Sequence, residues 1–183
     1  GGVAIPAAGR EPDRPPRLLY GGRLSEEKGV RELAEAAAGL PLVVVGDGPL
    51  RSLFPGSPGF VAPAALGPYY ERAAVVVAPS RREGYGVAAR EGMAHGRPLV
   101  ATSVGGLRDA VEDGVTGLVV PPRDAVALRA ALERLLGDEG LRTRLGAAAR
   151  ERALARWAWP EATSALLAVY AETVKPLDSS SDR

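Results

Sequence analysis

The pattern that most narrows the fold of this chain is a repeated alternation between short apolar runs and longer amphipathic stretches. The apolar runs fall at residues 17–20, 42–45, 59–62, 74–78, 99–102 and 118–120, rich in Leu, Val and Ala with little polar alternation. A strand of that composition suits burial on both faces, as in a parallel sheet covered by helices on each side. Helix-length segments lie between the runs at residues 28–38, 66–73, 87–95 and 107–112. Strand, helix, strand in unbroken succession predicts an α/β fold, a doubly wound, Rossmann-like parallel sheet of six strands flanked by helices.

The later part of the chain changes character and adds extra carboxyl-terminal helices. Asp124 is placed to cap a helix whose Val126, Leu128, Leu132, Leu135 and Leu136 form one apolar stripe, and Gly137 stops it. Asp138 opens a second helix that runs to about Trp157. A third is expected from Pro160, a favoured first-turn residue, with Leu166, Leu167, Tyr170 and Val174 on one broad face. Residues 1–16 read as a linker, because 7–16 hold three prolines and several charges. Residues 17–174 then form the domain, and 175–183 carry too little apolar content to fold and read as a disordered tail. The first residue is Gly1 and not Met, and the expectation is a piece of a longer protein.

Composition removes several classes of function. The 183 residues suffice for one ordinary domain, which buries about 70% of its extended surface. Lys and Arg number 23 against 22 Asp and Glu, a net charge of +1, so the basic excess of a nucleic-acid binder is missing. There is no cysteine, which excludes disulfides and thiolate chemistry, and the single histidine, His95, excludes a multi-histidine metal site. No apolar run approaches the roughly 20 residues that span a bilayer. No amino-terminal signal pattern is visible, and the expected location is cytoplasmic.

In open parallel sheets, ligands bind where strands end and loops lead into helix amino termini. Three such loops here are rich in glycine and charge: Gly21-Gly22-Arg23-Leu24-Ser25-Glu26-Glu27-Lys28-Gly29, Gly46-Asp47-Gly48-Pro49 and Pro79-Ser80-Arg81-Arg82-Glu83-Gly84-Tyr85-Gly86. Any one of them could be no more than a set of tight turns. Convergence of all three on one sheet edge points to a phosphate-bearing ligand, because glycine lets it approach the backbone and a helix start offers free N–H groups. Glu83 sits before a helix and Glu91 about one turn inside it, so both carboxylates can face the loop mouth and grip a polyol. From spacing alone, a solvated Glu91 paired with a nearby arginine is the simpler alternative.

These words line up with a family. Gly22-Arg23-Leu24-x-x-x-Lys28-Gly29, Gly46-Asp47-Gly48-Pro49 and Pro79-Ser80-x-x-Glu83-Gly84-Tyr85-Gly86-x-x-x-x-Glu91-Gly92-Met93-Ala94-x-Gly96-x-Pro98 resemble the retaining, GT4-like "group 1" glycosyltransferases of the GT-B fold. The block Gly105-Gly106-x-x-Asp109-x-Val111-x-Asp113-Gly114-x-Thr116-Gly117 continues the likeness, which runs from Arg17 to Tyr170. The resemblance implies the carboxyl-terminal, donor-binding half of a two-domain enzyme, with Gly1-Gly2-Val3 the remnant of a motif that closes the other half. It implies a UDP-, GDP- or ADP-sugar as substrate, no cofactor, and no metal. Arg23 and Lys28 would neutralise the diphosphate of the leaving group, and Glu91 would accept from the ribose hydroxyls. Glu83 would face the donor sugar beside the amides of Gly84, Tyr85, Gly86 and Val87. Gly22 belongs to the same phosphate loop, and Phe60–Val61, at the end of the third expected strand, would wrap the nucleobase. The partner implied is the amino-terminal acceptor half, which would also carry any association with the inner-membrane surface; an isolated half would expose apolar surface and self-associate.

The likeness has departures. Ala74 stands where the family usually has an acidic residue, Asp109 where Glu is frequent, and Tyr85 where phenylalanine is commoner; none touches Arg23, Lys28, Glu83 or Glu91. Two other classes compete with the transferase reading: a nucleotide-sugar epimerase of the same architecture and a non-catalytic nucleotide-sugar-binding module. A dinucleotide oxidoreductase lacks support, since Gly21, Gly22 and Gly29 do not make Gly-x-Gly-x-x-Gly. His95 reads as a surface or helix-end residue, Trp157 and Trp159 as anchors at a helix junction, and the arginines between Arg142 and Arg156 as a solvated or domain-facing surface.

Overall fold

The computed structural model describes residues 3–6 and 11–158. Five parallel strands, β1 (Leu18–Gly21), β2 (Leu42–Val45), β3 (Val75–Ala78), β4 (Leu99–Thr102) and β5 (Gly117–Val120), are ordered β2-β1-β3-β4-β5. Among the described residues six α-helices accompany them: α1 (Val30–Ala36), α2 (Gly67–Arg72), α3 (Val87–Ala94), α4 (Gly106–Ala110), α5 (Ala125–Gly137) and α6 (Glu139–Trp157). The strand order reverses between β1 and β3, the switch point at which doubly wound sheets open a crevice.

Alternate strand residues feed two cores, one on each face of the sheet. Leu18, Tyr20, Val75, Val77 and Val100 pack with Leu33 of α1 and with Leu128, Leu132 and Leu135 of α5. Leu19, Val76, Leu99 and Ala101 pack with Tyr70 of α2, Met93 of α3 and Leu107 of α4. This two-sided burial is why the strands read as continuous apolar runs. Helix α6 serves both cores, with Leu141 and Leu145 in the first and Ala149, Ala153 and Trp157 in the second. Asp124 and Asp138 each accept a hydrogen bond from an amide in the first turn of the helix that follows, Ala127 N and Leu141 N, both at 2.8 Å.

The sheet has five strands where six were expected, because residues 59–62 do not form one. Their tie to the sheet is the bond from Gly46 N to Gly59 O, and Pro58 and Pro63 flank the segment. Phe60 is 75% exposed, so the stretch lacks the two-sided burial that the other runs share. The expected helix from Pro160, including Leu166, Leu167, Tyr170 and Val174, lies outside the described residues, as do Trp159 and the tail at 175–183. The described parts of residues 1–16 contact the domain. Val3 N donates to Trp157 O, and Asp13 and Arg14 pair with Arg72 and Glu139. No helix among the described residues is long and apolar enough to cross a membrane.

The structure adds partners to two surface expectations. Of the arginines expected on a solvated or domain-facing surface, Arg144 and Arg156 are exposed, whereas Arg142, Arg150 and Arg152 are half-buried against the domain. Arg142, Arg144, Arg150 and Arg152 donate to carbonyls at Leu135 and Leu136, Gly114, Ala94 and Pro6, and Asp109, stitching α6 to its neighbours. His95 caps α3 but is half-buried, stacked on the Tyr70 ring with centroids 5.3 Å apart. Burial lowers its pKa below the ordinary 6.5, Glu71 opposing this and Arg97 and Arg150 adding to it. The unfolded imidazole therefore takes up a proton at a higher pH than the folded one. His95 accordingly contributes stability that is present above pH 6.5 and is lost as pH falls from 6.5 through the folded pKa. The chain's one imidazole should titrate by NMR with a midpoint below 6.5, and the fall in stability below that pH should flatten in His95→Gln. A midpoint at or above 6.5 would contradict this placement.

Candidate functional site

The loops after β1, β2 and β3 meet at the carboxyl edge of the sheet, and their backbones touch. Gly29, with φ 66°, lies so close to the Pro79 carbonyl that a Cβ there would stand 1.9 Å from its oxygen. Gly105, with φ 44°, leaves only 1.8 Å between a Cβ and the Glu83 carbonyl oxygen, and Gly106 N donates to that same oxygen. Only glycine supplies both the conformation and the space at these two positions. Arg81 N and Arg82 N both donate to Glu27 O, at 2.8 and 3.0 Å, fastening the β3 loop to the β1 loop. Beneath them Arg81 pairs with Glu32 at 2.8 Å, and Thr102 Oγ1 donates to Ser80 O.

Between the loops lies a cleft of about 710 Å³. Gly22, Arg23, Lys28, Phe60, Val61, Glu83, Gly84, Tyr85, Gly86, Val87 and Glu91 all line it, so the structure brings every site residue singled out from the sequence to one place. Arg23 is exposed at the mouth. Lys28 Nζ donates to Glu83 Oε2 at 2.8 Å, a pair mostly shielded from solvent. Ser80 Oγ donates to the same oxygen at 3.1 Å, and Gly86 N to Glu83 Oε1 at 3.3 Å. Helix α3 starts at Val87 after Gly86, with no side-chain cap, and its first residues face the cleft. Amide donors of a first helical turn lack intrahelical partners, and the helix dipole favours an anion there.

Among the described residues Glu91 is paired with no arginine. Its Oε2 accepts from the Tyr70 hydroxyl at 2.8 Å. Burial, with the Glu91 charge and hydrogen bond adding to it, raises the Tyr70 phenol pKa, so the phenol stays a donor. Tyr20 is similar: burial and then the Glu83 charge raise its pKa, and its hydroxyl donates to Arg23 O at 2.7 Å. Tyr20 and Tyr70 are polar cleft residues that sequence reasoning missed, and Ser80, part of the third loop, had been given no role of its own. The two tyrosines fall within an expected strand and an expected helix, and their signal was a polar tip at a strand's carboxyl end and on a helix otherwise headed for the core. Among the described residues no cluster of three or more acidic or histidine side chains is placed to hold a metal ion.

Fold and cleft together define a parallel α/β domain with a charged cleft at the carboxyl edge of its sheet, and comparison with known proteins makes the family plain. The chain belongs to the group 1 glycosyltransferases, whose family model, Glycosyl transferases group 1, matches residues 15–138. It is 46% identical over 110 residues to a D-inositol 3-phosphate glycosyltransferase of Xylanimonas cellulosilytica, which covers 60% of this chain and 26% of that protein. Sucrose-phosphate synthase from Thermosynechococcus elongatus superposes with a TM-score of 0.79 at 34% identity, covering 86% of this chain and 45% of that one. HepE of Anabaena, solved in complex with UDP and glucose, gives 0.77 at 22% identity, covering 85% and 48%, a likeness that establishes the fold. These structural neighbours are GT-B glycosyltransferases. The matches span less than half the length of each relative.

The close loop packing generates a direct test. Gly105→Ala should destabilise the domain by about 1–3 kcal/mol from backbone strain, with collision against the Glu83 carbonyl adding to it. Gly114→Ala, also at positive φ but with no atom within 4 Å of its Cβ, carries the conformational cost alone. Urea unfolding should rank Gly105→Ala as the more damaging change, and equal losses would show that the close approach is not needed.

Proposed function

We propose that this chain is the donor-binding half of a retaining glycosyltransferase that takes a hexose-type sugar from a nucleoside diphosphate and passes it to an acceptor held elsewhere. The observation that carries the reading is the convergence in one cleft of two cationic side chains, an uncapped helix start and two spaced carboxylates. Arg23, Lys28 and the α3 amides supply positive potential where a diphosphate would lie and where leaving-group charge would grow. Glu91, oriented by Tyr70, accepts from the ribose hydroxyls. Glu83, held by Ser80 and Gly86 N, faces the sugar, and Lys28 moves between Glu83 and the phosphates when donor arrives. Phe60 and Val61 border the nucleobase end. The UDP and glucose bound in HepE support a uridine donor as the first to test.

With Arg23, Lys28 and the α3 amides to meet the diphosphate, donor binding is proposed to be independent of a divalent metal. The reaction is another matter, because the acceptor must be held against the anomeric carbon, and such proximity is worth about 7–11 kcal/mol. The span of the match leaves room in the relatives for a second half to do this. The 183-residue chain is therefore proposed to bind without turning over.

Calorimetry with UDP, GDP and ADP should show saturable binding of at least one of them, unchanged by excess EDTA. Glu91→Ala should weaken the bare nucleotide by about 1.5–3 kcal/mol, the worth of a charged hydrogen bond. Glu83→Ala should weaken the sugar nucleotide more than the bare one. Binding equal to the parent's in both variants would overturn the assignment of the carboxylates, and robust transfer by this chain alone would overturn the half-enzyme reading.

A further inference from the structure

Arg90 lies in the middle of α3, one residue before Glu91, and is only 3% exposed. A buried guanidinium normally satisfies its five N–H groups with acceptors. Arg97, the other buried arginine of this region, does so with the carbonyls of Tyr70 and Glu71. Arg90 does not. Its Nη2 makes one long bond of 3.4 Å to Gly106 O, and Nε and Nη1 have no hydrogen-bond partner among the described residues.

Two rings hold it instead. Its Cζ lies 3.8 Å from the centroid of the Tyr85 ring and 4.7 Å from that of Trp157. A cation over an aromatic face is attracted by the ring's quadrupole, more strongly when water is excluded. Tyr85 belongs to the turn that lines the cleft, and Trp157 is the last residue of α6. The carbonyl of Trp157 accepts from Val3 N at 2.8 Å, and Val3 bridges to Ala158. A Cβ on Gly86 would stand 3.4 Å from Arg90 Nη1, so the guanidinium sits directly behind the turn that opens α3. An apolar side chain could fill this space without the desolvation of a charge. The arginine does what such a filler cannot, joining two aromatic faces that belong to distant parts of the chain.

We propose that Arg90 is a positioning residue: stacked between Tyr85 and Trp157, it sets where the Gly84–Gly86 turn stands in the cleft and couples that turn to the carboxyl end of α6. Its consequence for donor binding rests on the cleft reading given above, whereas the coupling itself does not. Packed side chains in unbroken contact can carry coupling of this kind, and the contacts of the guanidinium with both rings provide such a path.

Amide hydrogen exchange on the whole chain tests the coupling without any ligand. Arg90→Met should speed exchange across residues 84–88 about tenfold or more, while the core amides of β4 keep their protection. Trp157→Leu should loosen the same turn, and Trp157→Phe, which keeps a ring, should not. Arg90→Lys, retaining charge without the flat guanidinium, should fall between parent and Arg90→Met. In the Arg90→Met background, Trp157→Leu should add less than about twofold, since residues acting through one connection are not additive. Fully additive effects, or an unchanged turn in Trp157→Leu, would overturn the proposal. Should Arg90→Met also expose β4, Arg90→Lys and Trp157→Leu decide by the same criterion. In parallel, Arg90→Met should raise the Kd for UDP, GDP or ADP, whichever the parent binds. A parent that binds none of the three defeats the donor reading and leaves the exchange result to judge the coupling.

Discussion

The cleft depends on loop backbones lying closer together than side chains would allow. Gly29 against the Pro79 carbonyl and Gly105 against the Glu83 carbonyl bring the ends of β1, β3 and β4 into one rigid rim. The amide bonds from Arg81 and Arg82 to Glu27, and from Gly106 to Glu83, lock that rim from both sides. Everything placed in the cleft hangs from it. Glu83 is fixed at both backbone and carboxylate, and Lys28 reaches it because the residue that follows, Gly29, is pressed onto the β3 loop.

The charge arrangement follows from this frame. Lys28 and Glu83 form a shielded pair, Glu91 is held by a phenol whose pKa burial has raised, and Arg23 remains at the open mouth. One carboxylate is thereby charge-balanced and the other is oriented by a neutral donor, which keeps Glu91 a full acceptor beside an uncapped helix start. A rim of this kind offers an incoming polyanion positive charge and amides without large rearrangement of the protein, the condition for preorganised electrostatic binding.

Much of the fold was legible because two-sided burial leaves a strong mark on strand composition. The runs that became β1 to β5 could be found without knowing their order. Residues 59–62 misled because a short apolar run flanked by prolines looks like a strand whether or not a neighbour offers a full ladder. The residues singled out from motif spacing and from the family resemblance were legible as candidates, and the structure gathers all of them around one cleft. What spacing did not carry was partnership. That Glu91 meets Tyr70 rather than an arginine, that His95 lies on Tyr70, and that Arg90 lies between two rings all depend on helix crossings. Those crossings bring together residues 21 to 67 positions apart in the chain, in the case of Tyr70 with Glu91 and Arg90 with Trp157. No local pattern reports such distances.

The central claim is that the carboxyl-edge cleft is a nucleotide-sugar donor site, and backbone amide shifts during a nucleoside diphosphate titration test it most directly. The account predicts saturable shifts that are largest at Gly22 and at Gly84 to Val87, smaller around Val61, and absent from the opposite edge of the sheet near Pro16 and Pro98. Shifts concentrated at that opposite edge, or no saturable shift with UDP, GDP or ADP, would contradict it.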